Sequence, residues 1–390
     1  MTDVWQLSDE LRGLQKVTRD FMQKEIVPAE EGLDFDAYQL PKDVLEAARK
    51  KARQAGIWCV NSPAAYGGSE MSMLAQVIVA EEASQCRMGA YVPAGGAFGW
   101  DPPNVIYKGT EEQIQKYAVP TIEKGGKTFV AISEPSGGSD PARSIRTTAV
   151  RDGDSYVLNG SKTWISAANY SDWGVVFART SEGRNGVSCF VVESDTPGLT
   201  MTPIPVIRSW YPCELSFTDC RVPAENLIGE EGRGFELAQH WLNHGRVPYA
   251  AATLGIASAA LKITIEHARN REVFGGRLAD KQAIQWMIAD SEIEIRAARW
   301  LCYEAAFKAD SGQDYKFEAS ACKVYATETA GRVVDRCVQI LGGMGVAKEL
   351  PLERWYREMR IKRIGEGPSE VHRMVVARQL ISGKKSSGSS

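Results

Sequence analysis

Apolar residues recur at helical spacing through the first third of the chain. Leu7, Leu11, Leu14, Val17 and Phe21 share one face, with Ser8 and Asp9 placed as caps. Pro41 opens a second helix through Val44, Leu45 and Ala48, where its missing N–H costs nothing. Residues 71–86 read as a third. Between residues 128 and 222 the pattern shortens to β-rich runs at 128–132, 155–158, 174–177, 187–192 and 214–217. Asp152-Gly153, Asn159-Gly160 and Pro197-Gly198 read as the turns between them. Helical spacing returns at Gly234. Ile284, Met287, Ile288, Ile295, Ala298, Leu301 and Ala305 mark a long amphipathic helix, and residues 322–341 mark another. The order α, then β, then α predicts an α+β chain, mainly α, and argues against a Rossmann sheet, in which strands and helices alternate.

Composition narrows the class. A chain of 390 residues has room for two to three domains, and 44% hydrophobic with 24% charged residues excludes a largely disordered protein. A net charge of −3 gives no reason to expect capture by nucleic acid or an anionic membrane. The eight cysteines never fall in a Cys-x-x-Cys spacing and read as buried small hydrophobes of a reducing compartment. The first ten residues are acidic where an export signal needs a basic region, and residues 248–263 are short for a membrane span. A soluble intracellular protein is expected, cytoplasmic in a bacterium or in a mitochondrial matrix. His240 and His244 lie one helical turn apart, but Trp241 stands where a zinc protease needs Glu, so no metal is expected.

Three glycine-bearing segments carry the candidate chemistry. Ser133-Glu-Pro-Ser-Gly-Gly-Ser-Asp140 follows a strand and offers backbone N–H groups to a planar or anionic ligand. Gln339-Ile-Leu-Gly-Gly-Met-Gly345 follows a helix, where a glycine C-cap is also a sufficient reading. Ile364-Gly-Glu-Gly-Pro-Ser-Glu370 sets Glu366 between two glycines before a helix starting near Ser369. A carboxylate on so bare a turn can project into a cavity as a base.

These segments occur in order with Asn159-Gly-Ser-Lys-Thr-Trp-Ile-Ser166, Arg221-Val-Pro223, Gly232-Arg-Gly-Phe235 and Arg271-Glu-Val-Phe-Gly275. The whole set resembles the acyl-CoA dehydrogenase family over residues 7–382. The run from Glu366 to Arg373 looks similar to the branch of animal family members 10 and 11. The resemblance implies an N-terminal helical domain (1–126), a middle β-barrel domain (127–231) and a C-terminal four-helix bundle (232–382); the low-complexity residues 383–390 read as a disordered tail.

It also implies FAD-dependent α,β-dehydrogenation of an acyl-CoA, with Glu366 as the base. Some members carry the base before the arginine matching Arg246; here that position is Gly245. Ile132, Ser133, Gly138 and Ser139 match the loop along the flavin, and Trp164 and Ser166 match the indole on its face and the hydroxyl near N5. Arg271, Phe274 and Gln282 match residues that reach the FAD of a neighbouring subunit. Gln339, Gly342 and Gly343 match the pyrophosphate side, and Pro368 and Glu370 occupy positions that touch flavin. Ser139, Arg246, Gly365 and Gly367 match the substrate side. The implied partners are an electron-transferring flavoprotein and further copies of the chain, in the family usually a tetramer.

The departures set further expectations. Pro368 and Glu370 replace a Thr and a Gln, and Pro368 has no N–H to offer. Gly365 replaces an aromatic residue, which leaves room beside the reacting carbons for a branched, cyclic or aromatic acyl group. Residues 206–213 form a shortened connection between strands. Trp100, Asp101, Pro102 and Pro103 fall where the family often lines its acyl cavity, and together with Trp210 and Tyr211 they are expected to shape specificity. The alternatives on the same scaffold are a nitroalkane oxidase, a flavin-dependent hydroxylase and a non-redox acyl-CoA lyase, and beyond it a non-catalytic helical scaffold.

Overall fold

A computed structural model describes residues 6–183 and 186–383. Of the tail expected over residues 383–390, all but Gly383 lies outside them. The chain divides into two compact units, one of residues 1–57, 71–97 and 245–390, the other of residues 58–70 and 98–244.

The first unit is helical. Helix α1 (Asp9–Phe21) starts at Ser8, whose Oγ accepts from the Leu11 N–H at 3.2 Å. Helix α2 (Lys42–Gln54) follows Pro41, and α3 (Met73–Ala83) is capped by Ser72. Helix α4 (Gly234–Asn270) is shared: residues 234–244 belong to the second unit and 245–270 to the first. It is long and apolar enough to cross a membrane by length and composition, yet 61% of that stretch is buried in the protein. A two-stranded hairpin joins it to α5 (Gln282–Asp310), followed by α6 (Lys316–Leu341), α7 (Leu352–Lys362) and α8 (Ser369–Ile381). Small residues let these helices approach closely: Ala250, Ala251, Ala298, Cys302, Ala305, Ala319, Cys322 and Ala326 form one continuous buried cluster.

The second unit holds a mixed eight-stranded sheet, with path β6-β7-β3-β2-β4-β5-β8 and β1 pairing parallel to β4. The strands are β1 (Lys127–Ala131), β2 (Thr148–Asp152), β3 (Ser155–Ile165), β4 (Ser171–Arg179), β5 (Val187–Glu193), β6 (Leu199–Pro203), β7 (Cys213–Pro223) and β8 (Leu227–Ile228). Asn159-Gly160 is not the turn expected from its composition. It lies inside β3, where the register against β7 shifts and Gly160 takes φ +143°. A Cβ there would lie 2.7 Å from the Thr147 Cα, so the glycine serves a close backbone approach. All eight cysteines are free and buried.

Candidate active site

The predicted site residues sort into one set on each unit. In the second unit, the ends of β1 and β3 are tied by a bond from the Thr163 N–H to the Ser133 carbonyl at 2.9 Å. Ser133 and Trp164 thereby come side by side. Trp164 is 60% exposed and has φ +63°, an unusual conformation for a bulky residue and a mark of a functional position. Ile132 is buried behind it, while Gly138, Ser139 and Ser166 are exposed.

The loop carrying Ser133 to Ser139 is anchored by a pair that sequence reasoning passed over. Glu134 and Lys162 are both buried and meet at 2.7 Å. Glu134 also accepts from the backbone N–H groups of Arg146, at 2.7 Å, and Thr147, at 3.0 Å. Burial pushes the Glu134 carboxyl up, but the Lys162 charge and these bonds outweigh it and hold it below the usual range. Burial lowers Lys162 to about 8. Arg208, also buried, donates to the Ser166 hydroxyl at 3.0 Å and stacks on Trp210. Trp100 and Trp210 do come together, their centroids 5.7 Å apart, with the Lys127 ammonium 5.7 and 5.1 Å from them. Asp101 is engaged inside the unit, accepting from the Ser62 N–H and hydroxyl at 2.8 and 2.7 Å.

In the first unit the centre is Glu366, on the turn between α7 and α8. Its φ is +58°, which a non-glycine residue holds only when its surroundings enforce it. They do so through carbonyls. Arg246 Nε donates to the Glu366 carbonyl at 3.3 Å and Lys323 Nζ to the Gly367 carbonyl at 2.7 Å. His372 Nε2 lies 3.0 Å from the Glu366 carbonyl; an oxygen there can only accept, so Nε2 carries the proton. Gly367 has φ +91°, and a Cβ on it would sit 3.0 Å from His372 Nε2.

One oxygen of the carboxylate has no hydrogen-bond partner among the described residues. That oxygen, Oε2, is shielded from solvent. Burial pushes this carboxyl above its ordinary value, opposed by the charges of Arg246, Lys323 and Lys362. Burial also lowers Lys323 to about 8 and His372 to about 4, so the imidazole is neutral at pH 7. A desolvated carboxylate with an unshared oxygen, on a rigid turn, is equipped to take a proton.

The room expected beside Gly365 is narrowed on one side by Tyr249. A Cβ at this position would lie 2.8 Å from the Tyr249 hydroxyl oxygen, so the phenol of α4 takes part of the space a side chain here would need. Elsewhere in the unit, Arg271 and Gln282 are exposed, and Phe274 at the hairpin tip is 99% exposed with φ +50°. Gln339, Gly342 and Gly343 are exposed at the end of α6, where Gly342 adopts φ +59° and ψ −131°, a region open essentially to glycine alone. Pro368 caps the start of α8 and Glu370 is exposed.

Three domain models of the acyl-CoA dehydrogenase family match in order: the N-terminal domain over residues 8–124, the middle domain over 130–220 and the C-terminal domain over 232–381. The chain belongs to the acyl-CoA dehydrogenase family. It is 37% identical to the mitochondrial short-chain specific acyl-CoA dehydrogenase of Rattus norvegicus, covering 94% of this chain and 89% of that one. The solved butyryl-CoA dehydrogenase of Megasphaera elsdenii superposes with a TM-score of 0.86 at 32% identity, covering 97% of this chain and 99% of that one. A solved structure described as the electron transferring flavoprotein of Acidaminococcus fermentans matches with a TM-score of 0.86 at 33% identity, covering 97% and 99%.

As a member of this family the chain is an oxidoreductase whose cofactor is FAD. Its residues fit that group on each unit taken separately. The second unit offers an exposed, strained indole at Trp164 and hydroxyls at Ser133 and Ser166. Gly138, with no side chain, lies exposed on the same loop as Ser133. The first unit offers the glycine cradle at Gly342 and Gly343, free of any atom that a Cβ would meet.

Proposed function

We propose that this acyl-CoA dehydrogenase removes the α-proton of an acyl-CoA thioester with Glu366, giving the trans-2-enoyl-CoA. The observation that carries the reading is the Glu366 carboxylate, set on a strained turn with one oxygen shielded from solvent and unbonded among the described residues, and raised in pKa. An α-C–H of a thioester is a weak acid, so its base must be desolvated and held in place, and the thioester oxygen must be stabilised as charge develops. The Arg246 and His372 bonds to the Glu366 carbonyl hold the base on its turn, and Gly245 leaves the alternative position without a carboxylate. FAD, when bound, supplies the acceptor for the β-hydrogen as hydride. The short-chain and butyryl relatives support a short acyl group, and the electron-transferring-flavoprotein match supports such a protein as electron acceptor.

The base works only when ionised. With its pKa raised, the rate of flavin reduction is expected to fall as pH drops through a value above the ordinary 4.5 for Glu. Stopped-flow reduction across pH 5 to 8 checks this; a pH-independent rate contradicts it.

A homo-oligomer, in keeping with a tetramer, completes the reading. On α5 the exposed large residues Trp286, Ile293, Trp300 and Phe307 recur every seven positions and form one apolar stripe. The bare Phe274 beside Arg271 suits a residue that reaches a neighbouring copy. Trp300→Glu combined with Ile293→Glu is expected to give a smaller particle in light scattering and a lower FAD content. An unchanged mass contradicts the assignment of this face.

A further inference from the structure

We propose that Tyr249 sets the acyl specificity of the site, admitting straight-chain acyl thioesters and turning away those that are branched, cyclic or aromatic next to the thioester carbonyl. The inference rests on Glu366 being the base. Gly365, beside that base, has no side chain, and the space one would need is held by the Tyr249 phenol: an added Cβ would meet its hydroxyl oxygen at 2.8 Å and its Cζ at 3.8 Å. Real Cβ contacts do not come so close, so residues 249 and 365 form a large–small pair across the turn.

The phenol is a fixed wall rather than a movable one. The Lys362 ammonium lies 4.0 Å from the Tyr249 ring centroid and 4.2 Å from that of Tyr91, and Lys323 lies 5.9 Å from the Tyr249 ring. Both lysines are buried, so swinging the ring away would strip a desolvated cation of an aromatic face. Beyond the base, a Cβ on Gly367 would lie 3.0 Å from His372 Nε2. An acyl group whose α-carbon meets the Glu366 carboxylate therefore passes a rigid ring on the Gly365 side. Extra substituents on the α or β carbon would have to displace it, and a packed wall of this kind discriminates methyl groups by about tenfold or more.

The test uses the FAD-loaded protein and its variants Tyr249→Ala, Tyr249→Phe, Gly365→Ala and Tyr249→Ala/Gly365→Ala. Flavin reduction is measured with butyryl-CoA, isobutyryl-CoA and 3-phenylpropionyl-CoA, beside FAD content and thermal midpoint. Tyr249→Ala is expected to raise the branched-to-straight and aryl-to-straight ratios of kcat/KM by about tenfold or more, with Tyr249→Phe, which removes only the hydroxyl nearest residue 365, giving a smaller rise in the same direction. Gly365→Ala is expected to lower the thermal midpoint in the Tyr249 protein and to be tolerated once residue 249 is Ala, a non-additive cycle. Unchanged ratios in a flavin-bearing, butyryl-active Tyr249→Ala protein, or additive midpoints, overturn the proposal. If no thioester reduces even the unaltered protein, the Glu366 reading fails and this one with it, whereas the thermal cycle still reports whether the two residues are paired.

Discussion

Glu366→Gln is expected to bind FAD normally and to lose about 10²–10⁴ in the rate of flavin reduction by acyl-CoA, the contribution of a positioned general base. The exchange preserves shape and removes only the proton acceptor. It also removes a buried negative charge facing Arg246, Lys323 and Lys362, so the variant protein is expected to show those cations less well compensated and its low-pH fall in rate abolished. The turn itself should persist, because its strained φ is enforced through carbonyls of residues 366 and 367 and not through the carboxylate. Rapid-mixing spectra of the flavin decide the matter. A Gln variant that is reduced at the original rate would remove Glu366 from the chemistry.

Lys162→Met is expected to cost about 3–5 kcal/mol in the second unit, the usual penalty for leaving one member of a buried ion pair unmatched. Lys162 and Glu134 are both almost fully buried, and Glu134 is also the acceptor that gathers the Arg146 and Thr147 N–H groups. Losing the lysine leaves a dry carboxylate at the root of the Ser133 to Ser139 loop, so FAD affinity should fall together with stability. Replacing the pair by Glu134→Gln/Lys162→Met should cost less than the lysine change alone, since no net charge is then stranded. Denaturant unfolding with parallel FAD titration checks both statements. A single variant as stable as the starting protein would show that the pair contributes little.

The helices were legible because their apolar spacing and caps act locally: Ser8 and Pro41 stand at the observed helix starts. Strands β2, β6 and β8 were not, because β2 exposes most of its residues, β6 lies at the sheet edge and β8 has two residues, so none presents an apolar run. Asn159-Gly160 misled for a different reason. Its composition signals a turn, but the glycine answers the close approach of Thr147, a contact made only in three dimensions. Glu366 and Trp164 could be singled out from motifs, yet their strain and burial could not. Lys323 and Lys362 lie within helical patterns, where a lysine ordinarily faces water. Only the packing of α4, α6 and α7 turns them into buried cations around the base and Tyr249 into the wall beside it.

The central claim is that Glu366 and FAD together oxidise an acyl-CoA thioester, and an anaerobic flavin spectrum recorded before and after adding a panel of acyl-CoAs tests it most directly. The account predicts bleaching by short straight-chain acyl-CoAs, and no bleaching when Glu366 is Gln. A bound flavin that no thioester reduces, but that a nitroalkane does, would contradict it.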